Sequence, residues 1–313
     1  MLISIIIATQ NRANQLKDIL ESILKQETEG IFDYELIFVD NNSKDKTKET
    51  VQSYADRFNG RFHYFFEGEH GKCQALNTGI AQAKGEILIF TDDDVVVDSR
   101  WLLNIVRCFQ TERCDAVGGR VLPVYPKNTP QWISDNRDIL SGPIVDFDYG
   151  ENISPFDSKK MLPFLGANIA FRNEVFQACG LFRPDLGPGT GIMGDDTEFF
   201  RRVLSKGKKA VYCGQAVVWH PVDVTRMSLK YIAKWNISSG RYWPLIDNKE
   251  QKENEVVFRF LGVPRYLIRQ LVVLAGSLPF YVLNQRNFLK HWSELFLLWG
   301  RIVQYRRIEQ CRK

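Results

Sequence analysis

The sequence of 313 residues lacks several patterns that mark common protein classes. Its six cysteines are scattered, without a CxxC pair or the spacing of metal ligands, which predicts reduced thiols and argues against a disulfide framework. No stretch offers the roughly 20 uninterrupted apolar residues that a membrane-spanning helix needs. The first residues, MLISIIIATQNR, lack a basic segment and have too short an apolar run for a signal peptide, so we expect a cytoplasmic protein.

Glycine is absent where a nucleotide-binding loop would need it. The segment ATQNRANQ follows the first predicted strand and contains no glycine, which excludes the GxGxxG motif of dinucleotide-dependent oxidoreductases. A sugar-phosphate nucleotidyltransferase remains an alternative, disfavoured because its triphosphate needs a glycine-rich basic loop at this position. The segment GEHGKC does not form a P-loop, since Cys73 stands where a Ser or Thr would bind Mg²⁺.

An alternation of apolar strands and amphipathic helices is present over the first third of the chain. The predicted strands are residues 3–8, 35–39, 61–66 and 86–90, and the predicted helices are residues 14–25, 45–58, 74–83 and 101–109. This alternation of strands and helices predicts an α/β fold with βαβ units and a mostly parallel central sheet. Further strands are predicted at residues 117–121, 167–171 and 216–219. Residues 122–162 are rich in Pro, Gly and Asp, which predicts a mobile loop that contacts substrate.

Polar residues follow three of the predicted strands. They are TQNR at residues 9–12, DNN at residues 40–42 and TDDD at residues 91–94. In open α/β sheets, ligands bind beyond the carboxyl ends of the strands. The sequence therefore predicts a binding site at this edge of the sheet.

The three adjacent acids of the TDDD segment predict a metal site. Their carboxylates repel one another, and oxygen ligands favour a hard cation such as Mg²⁺ or Mn²⁺. Alternate residues of an extended segment share a face, so Asp92 and Asp94 should point together and Asp93 away. A solvated acidic turn is the alternative, which the preceding buried strand disfavours. His220 ends the segment VVWHP and is either a further metal ligand or phosphate contact, or a structural residue.

Charge is distributed unevenly along the chain. The net charge is +4, yet residues 226–313 carry 16 Lys and Arg against 6 Asp and Glu, so their net charge is +10 and that of residues 1–225 is −6. A basic tail predicts an anionic partner, either phospholipid or nucleic acid. No nucleic-acid-binding motif occurs, and the acidic strand ends would repel a phosphate backbone. We therefore expect no nucleic-acid partner.

The tail is rich in aromatic and basic residues and is predicted to be helical. Residues 266–283 are apolar but are interrupted by Arg269 and Pro279, and a second apolar stretch at 292–303 precedes cations at positions 306, 307, 312 and 313. Apolar faces edged by Trp, Tyr and Arg are typical of helices that lie in a membrane interface. We expect the tail to bind an anionic membrane surface. A helical subdomain packed on the catalytic domain is the alternative.

Five segments, in this order, resemble a family 2 glycosyltransferase, an inverting enzyme of the GT-A fold: SIIIATQNR, FVDNNSKD, GKCQALNTGIAQAKGEILIFTDDD, PFLGANIAFR and GDDTE. The resemblance covers residues 1–225 and implies a GT-A-like catalytic domain there, with residues 226–313 as a helical tail. It implies transfer of a sugar from a nucleoside diphosphate sugar, preferably a UDP-sugar, to a saccharide or lipid-linked acceptor in polysaccharide or glycoconjugate biosynthesis. Such an enzyme would act at the inner face of the cell membrane.

The resemblance also implies which residues hold the donor. The nucleotide-sugar and its metal would be bound by Thr9, Arg12, Asp40, Lys72, Asn77, Asp92, Asp93 and Asp94. Asp40 would contact the nucleobase, with Thr9 and Arg12 lining the pocket. Residues 71–77 would close over the diphosphate, with Lys72 as its charge partner. Asp92 would contact the ribose or the metal's ligands, and Asp94 would hold Mn²⁺ or Mg²⁺, which aids departure of the nucleoside diphosphate.

On the acceptor side, the resemblance makes Asp196 the catalytic base. Asp195 stands where the family has Glu, and two adjacent carboxylates can raise one pKa towards neutral. The alternative, compatible with the first, is that both acids stabilise the N-terminus of a helix at 197–204. Gly166 and Asn168 are predicted to contact the acceptor, or to form a packing turn. A catalytically inactive scaffold is disfavoured because the acids at positions 92, 94 and 196 are intact.

Overall fold

The computed structural model describes residues 1–250 and 258–311 of the chain. Eleven strands are assigned among these residues, and nine of them form one sheet. The strands are β1 Leu2–Thr9, β2 Asp33–Asp40, β3 Phe62–Phe66, β4 Ile87–Thr91, β5 Val96–Val97, β6 Ala116–Val124, β7 Ile153–Pro155, β8 Asn168–Arg172, β9 Ala210–Pro221, β10 Arg259–Phe260 and β11 Val263–Pro264.

Twelve α-helices are assigned in the same part of the chain. They are α1 Leu16–Leu24, α2 Thr47–Gln52, α3 Lys72–Gln82, α4 Trp101–Glu112, α5 Gln131–Ser134, α6 Arg137–Ile144, α7 Glu174–Cys179, α8 Asp195–Ser205, α9 Leu229–Gly240, α10 Trp243–Glu250, α11 Arg265–Ser277 and α12 Gln285–Cys311. Short 3₁₀ helices occupy Ala55–Phe58, Val224–Arg226 and Leu278–Tyr281. The α/β class predicted from the alternation of strands and helices is confirmed.

The large sheet is mixed, with strand order β3-β2-β1-β4-β8-β6-β9-β5 and β7 paired to β9. Strands β3, β2, β1 and β4 are parallel, as predicted. β8 is antiparallel to both of its neighbours, and β5 and β7 are antiparallel to β9. The prediction of a mostly parallel sheet therefore holds for the first four strands and for the pair β6–β9, which is also parallel. It fails for β8, β5 and β7, whose directions depend on long connections.

Apolar layers cover both faces of this sheet. Ile5 belongs to the layer that includes α1 and α4, whereas its neighbour Ile6 belongs to the layer that includes α3, α7 and α8. Strand β1 is therefore buried on both faces, which explains its continuous run of β-branched residues. Helix α1 buries Leu16, Ile19 and Ile23 at helical spacing against the first layer.

The chain forms two compact units that do not follow the predicted boundary after residue 225. The first comprises residues 1–124, 145–189 and 195–221, and the second comprises residues 125–144, 190–194 and 222–313. The last change of unit, after Pro221, lies close to the prediction. The two earlier segments join the second unit through tertiary contacts that no linear division of the sequence can anticipate.

The prediction of a loop across residues 122–162 is wrong in part. Helices α5 and α6 and strand β7 lie in this segment. Ile133, Leu140 and Ile144 are fully buried and pack in one apolar cluster with Ile232 and Leu289 of the second unit. Burial of these side chains stabilises the short helices α5 and α6, which have too few turns to show a clear helical periodicity. Pro130, just before α5, and Pro143, inside α6, make the sequence of this segment look like a loop.

The second unit contains a helical pair formed by α11 and α12. Leu267 of α11 is fully buried and packs in one cluster with Leu298, Ile302 and Tyr305 of α12. Over the described ranges, 1–250 and 258–311, no helix combines the length and apolar character that crossing a bilayer requires. Two of the predicted tail cations, Arg312 and Lys313, lie outside the described residues.

Candidate active site

The carboxyl ends of β1, β2 and β4 meet at one edge of the sheet. Thr9 is the register partner of Asp40, and Ile6 is the partner of Phe90, so these strands end side by side. The segment of residues 92–94 follows β4 directly. The predicted convergence of polar residues at this edge is confirmed.

Asp92, Asp94 and His220 form a group that could hold a metal ion. Each offers one ligand atom, and these atoms all lie within 4.8 Å of one another. The pairing of β5 with β9 brings them together, because Val96 is the register partner of Trp219, the residue before His220. Carboxylate oxygens with one imidazole nitrogen suit a divalent cation, so these residues fit the group that the sequence predicts.

The His220 ring is oriented by its own strand end. It is 1% exposed, its Nε2 lies 3.6 Å from Oδ1 of Asp94, and its Nδ1 lies 3.1 Å from the carbonyl oxygen of Pro221. Since a carbonyl only accepts hydrogen bonds, this contact favours the proton on Nδ1 and leaves the lone pair of Nε2 towards the acids. In that tautomer Nε2 can coordinate a metal ion.

Asp93 points away from this group, as the alternation predicted. Its Oδ2 accepts a hydrogen bond of 2.6 Å from the Thr9 hydroxyl, and both residues are buried. Burial, and then the neighbouring charge of Asp94, raises the pKa of Asp93 to about 6. Arg12 lies beside both acids, with Nε 3.8 Å from Asp93 and its terminal nitrogen 3.4 Å from Asp94. Thr9, Arg12 and Asp93 thus support the acidic group; their contact with a nucleotide stays a prediction.

The Asp40 carboxylate is fixed by two hydrogen bonds. Oδ2 accepts from the Tyr64 hydroxyl at 2.8 Å, and Oδ1 accepts from the backbone N–H of Ser43 at 2.9 Å. Asp40 is 3% exposed, and its contact with a nucleobase also stays a prediction. Burial, followed by this hydrogen bond, raises the pKa of Tyr64 above its ordinary value. Tyr64 was not among the predicted site residues, although the alternation of β3 places it on the same face of the sheet as Asp40.

Lys72 is the first residue of α3 and forms an ion pair with Asp92. Burial would lower the pKa of Lys72, but the carboxylates of Asp92 and Asp195 outweigh it, so the pKa lies above its ordinary value. Lys72 is therefore a permanent cation beside the acids. Helix α3 begins two residues before the predicted start at residue 74, so residues 72–77 are helical, and their closure over a diphosphate stays a prediction.

Asn77 lies inside helix α3 and binds protein backbone. Its Nδ2 donates to the carbonyl oxygen of Phe182 at 2.9 Å, and its Oδ1 accepts from the N–H of Phe182 at 3.0 Å. Both halves of the amide are thereby occupied. This geometry gives Asn77 a role in anchoring the chain at Phe182 and does not support its predicted contact with the diphosphate.

Asp195 and Asp196 begin helix α8, as the capping alternative anticipated. Asp196 accepts hydrogen bonds from the backbone N–H groups of Gly166, at 2.9 Å, and Thr197, at 2.7 Å. Asp195 is 7% exposed, and burial, then the charge of Asp196, raises its pKa to about 6. The adjacent acids thus have different environments. The catalytic role of either acid stays a prediction.

The two predicted acceptor contacts have different surroundings. Gly166 lies beside Asp196 through its N–H bond, which is consistent with a position at the substrate. Asn168 is 1% exposed: its Nδ2 donates to the carbonyl oxygens of Arg120 and Ala216, and its Oδ1 accepts from the indole N–H of Trp101. Asn168 therefore joins neighbouring strands to α4, and this geometry does not support acceptor contact by its side chain.

A glycine-rich segment preceding Asp195 was also missed. Gly187 has a φ of +92°, and a Cβ there would lie 2.9–3.1 Å from the Asp195 carboxyl group. Gly189 has a φ of +96°, and a Cβ there would lie 2.7 Å from Nε2 of His70. Both φ values lie in the range that favours glycine, and at Gly187 the Asp195 carboxyl group also leaves little room for a Cβ. The spacing of four glycines within residues 187–194 is the signal that could have identified this segment.

Both the sequence and the fold of this chain are similar to those of known proteins. The family model described as glycosyl transferase family 2 matches residues 4–180. Glycosyltransferase AglE of Haloferax volcanii is 27% identical over 219 residues, covering 70% of this chain and 66% of that protein. The O-antigen chain rhamnosyltransferase RfbN of Salmonella typhimurium is 29% identical over 230 residues, covering 72% and 68%.

Solved structures share the GT-A fold. Mannosyltransferase PcManGT from Pyrobaculum calidifontis, in complex with GDP-Man and Mn²⁺, matches with a TM-score of 0.64 and 18% identity over 97% of this chain and 86% of that chain. S. aureus TarS 1-349 in complex with UDP-GlcNAc matches with a TM-score of 0.58 and 14% identity over 100% and 91%. Because the family model matches more than half of the sequence, this chain belongs to glycosyl transferase family 2 and is an enzyme of the glycosyltransferase class.

Proposed function

We propose that this enzyme transfers a sugar from a nucleoside diphosphate sugar to a hydroxyl group of a saccharide or lipid-linked acceptor, with inversion at the anomeric carbon. The observation that carries the proposal is the Asp92–Asp94–His220 group at the carboxyl edge of the sheet, in a chain of this family. Relatives named for O-antigen and succinoglycan biosynthesis support a role in polysaccharide or glycoconjugate synthesis. UDP-sugars are the preferred donors, and the GDP-Man complex of PcManGT makes GDP-sugars the first alternative.

On the donor side, Asp92, Asp94 and His220 would hold Mn²⁺ or Mg²⁺, and the imidazole ligand favours Mn²⁺. The cation supplies positive charge that stabilises the departing diphosphate. Lys72 adds a second cation beside Asp92 and would contact the diphosphate from the start of α3. Arg12 and the Thr9–Asp93 pair hold the acidic segment in position. Asp40, fixed by Tyr64, would contact the nucleobase.

On the acceptor side, Asp196 acts as the general base. Its carboxylate takes the proton of the acceptor hydroxyl while that oxygen bonds to the anomeric carbon from the face opposite the diphosphate. The bond between this carbon and the phosphate oxygen breaks, and its electron pair leaves with the nucleoside diphosphate. The N–H groups of Gly166 and Thr197 orient the Asp196 carboxylate for this transfer.

We also place the reaction at the inner face of the cell membrane, where a lipid-linked acceptor would be available. The support is the net charge of +10 over residues 226–313, which favours an anionic surface.

The donor half is tested by calorimetry with UDP-, GDP- and dTDP-sugars, each with Mn²⁺ and with EDTA. We expect sugars of one nucleotide class to bind, and only in the presence of metal. Asp94→Ala should abolish this binding, because it removes one of the three side chains that would hold the metal ion. Asp56→Ala, at an exposed acid of the first unit, is the matched control and should bind as the wild type does. Well-folded wild-type protein that bound no nucleotide-sugar under any of these conditions would contradict the proposal.

A further inference from the structure

The turn between α11 and α12 exposes a group of large apolar side chains. Val272 and Val273 lie on α11, Phe280 on the following 3₁₀ helix, and Val282 and Leu283 in the connection to α12; we call these five residues the apolar corner. Phe280 is 85% exposed and Leu283 is 100% exposed. Single exposed apolar residues are ordinary, but a clustered set marks a surface that binds something.

The apolar corner is not needed for the packing of its own helix. α11 already buries Leu267 fully and Leu271 and Leu274 in part, against a cluster that includes residues of α12. A helix packed on one side needs one apolar face, and the opposite face is normally polar. Val272 and Val273 lie on the exposed side of α11 together with Arg265 and Arg269, so folding of the described chain leaves these two apolar side chains in water.

The charged residues of the chain segment that carries the apolar corner are all cationic, and one of them, Arg286, is paired with Asp138 of α6. Residues 258–293 contain five Lys and Arg and no Asp or Glu. Arg265 and Arg269 are exposed on α11, before the corner, and Lys290 is exposed on α12, after it. Tyr266, also exposed, stands beside them on α11. An apolar tip edged by cations and an aromatic residue complements a surface that is anionic outside and apolar beneath.

We propose that the apolar corner inserts into the interfacial layer of a bilayer that contains anionic phospholipid, with Arg265, Arg269 and Lys290 contacting lipid phosphates. A second copy of this chain is a less suitable partner for the apolar corner, because the two corners would carry the same positive charge and repel each other. The inference deepens the proposed membrane location by naming the element that enters the bilayer. It concerns binding to lipid and does not depend on which nucleotide-sugar the enzyme uses.

Vesicle flotation of the full chain tests this inference. We expect binding to vesicles of phosphatidylcholine with phosphatidylglycerol, weaker binding to phosphatidylcholine alone, and loss of binding at high salt. The double variant Phe280→Ser with Leu283→Ser should bind on the order of tenfold more weakly for each side chain removed. The control is Leu162→Ser with Val224→Ser, two exposed aliphatic residues outside the corner, and it should bind as the wild type does.

A fluorescent probe makes the test independent of any loss of fold. Five cysteines are buried and Cys311 is exposed, so Leu283→Cys in a Cys311→Ser background can be labelled at one exposed position. A polarity-sensitive dye there should shift to the blue with anionic vesicles, whereas the same dye on Val224→Cys should not. Unchanged emission at position 283, or equal vesicle binding by the double Ser variant, would overturn the inference.

Two further results separate this inference from its rivals. If the wild type is a dimer without lipid and the double Ser variant is a monomer, the apolar corner is a contact between copies and the inference is wrong. Nucleotide-sugar binding by calorimetry should be the same in the double Ser variant and the wild type. Vesicle binding that persists while no nucleotide-sugar binds would instead contradict the proposed donor chemistry alone.

Discussion

The two units of this chain depart from the usual distribution of polar and apolar residues in opposite ways. The first unit buries ionisable side chains, among them Asp40, Asp93, Asp195 and His220. The second unit leaves apolar side chains such as Phe280 and Leu283 in water. Burying a charge and exposing a large apolar group both cost free energy unless a partner completes the environment. In the first unit neighbouring side chains complete that environment, as Tyr64 does for Asp40 and Thr9 for Asp93. In the second unit the described residues leave Phe280 and Leu283 exposed, and we propose that a lipid surface covers them.

The largest effect is expected from Asp196→Asn in the first unit. Loss of the proposed base should lower the rate of sugar transfer by about 10²–10⁴-fold while leaving donor binding intact. The measurement is transfer to acceptor at saturating donor, with calorimetry of the donor beside it. Asp195→Asn is the matched variant, and a larger loss of transfer in that variant would assign the base to Asp195 instead.

Substitutions on the two faces of α11 test the second unit. Leu267→Ala removes a fully buried side chain and should lower the free energy of unfolding by about 2–5 kcal/mol. Val273→Ala, on the exposed face, should change it by about 0.5 kcal/mol or less. Chemical denaturation without lipid measures both. A large loss for Val273→Ala would mean that the protein itself covers this face.

Asn168→Ala tests whether this residue is structural. The substitution leaves the indole N–H of Trp101 and the carbonyl groups of Arg120 and Ala216 without their partner, which should lower the free energy of unfolding by about 2–4 kcal/mol. The KM for the acceptor, measured on the folded fraction, should not change. A raised KM with unchanged stability would restore the original prediction of acceptor contact.

The smallest effect concerns the buried carboxyl group of Asp195. Its pKa is about 6 in the folded protein, above the ordinary value of 3.8, so the folded state binds this proton more tightly than the unfolded state. Its contribution to stability is complete below pH 3.8 and is lost as the pH rises through 6. Asp195→Asn should therefore be more stable than the wild type by about 1–2 kcal/mol at pH 7 and equally stable near pH 4.

This comparison is made by denaturation in EDTA across that pH range. Asp18→Asn, at an exposed acid of α1, is the control and should show no such pH-dependent difference. A variant that became less stable than the wild type as the pH rose would show that the Asp195 charge is stabilised in the folded protein, against the direction of its pKa.

Regular structure explains which predictions succeeded. The strands of the first half of the sheet and the convergence of polar residues at its edge followed from local periodicity and from the parallel order of βαβ units. The shared direction of Asp92 and Asp94, with Asp93 turned away, followed from the two-residue period of extended chain. Predictions for Asn77 and Asn168 found less support, because a motif names a residue type without showing whether its amide is already occupied.

By itself, the sequence determined the α/β class, the acids at the strand ends and the basic character of the tail, since these depend on composition and on short repeating patterns. Only the tertiary structure decided that His220 lies beside Asp94, because this contact depends on the antiparallel register of β5 and β9. It also decided which face of α11 stays exposed. Both outcomes depend on contacts between segments far apart in the chain, and no local pattern encodes which surfaces such contacts will cover.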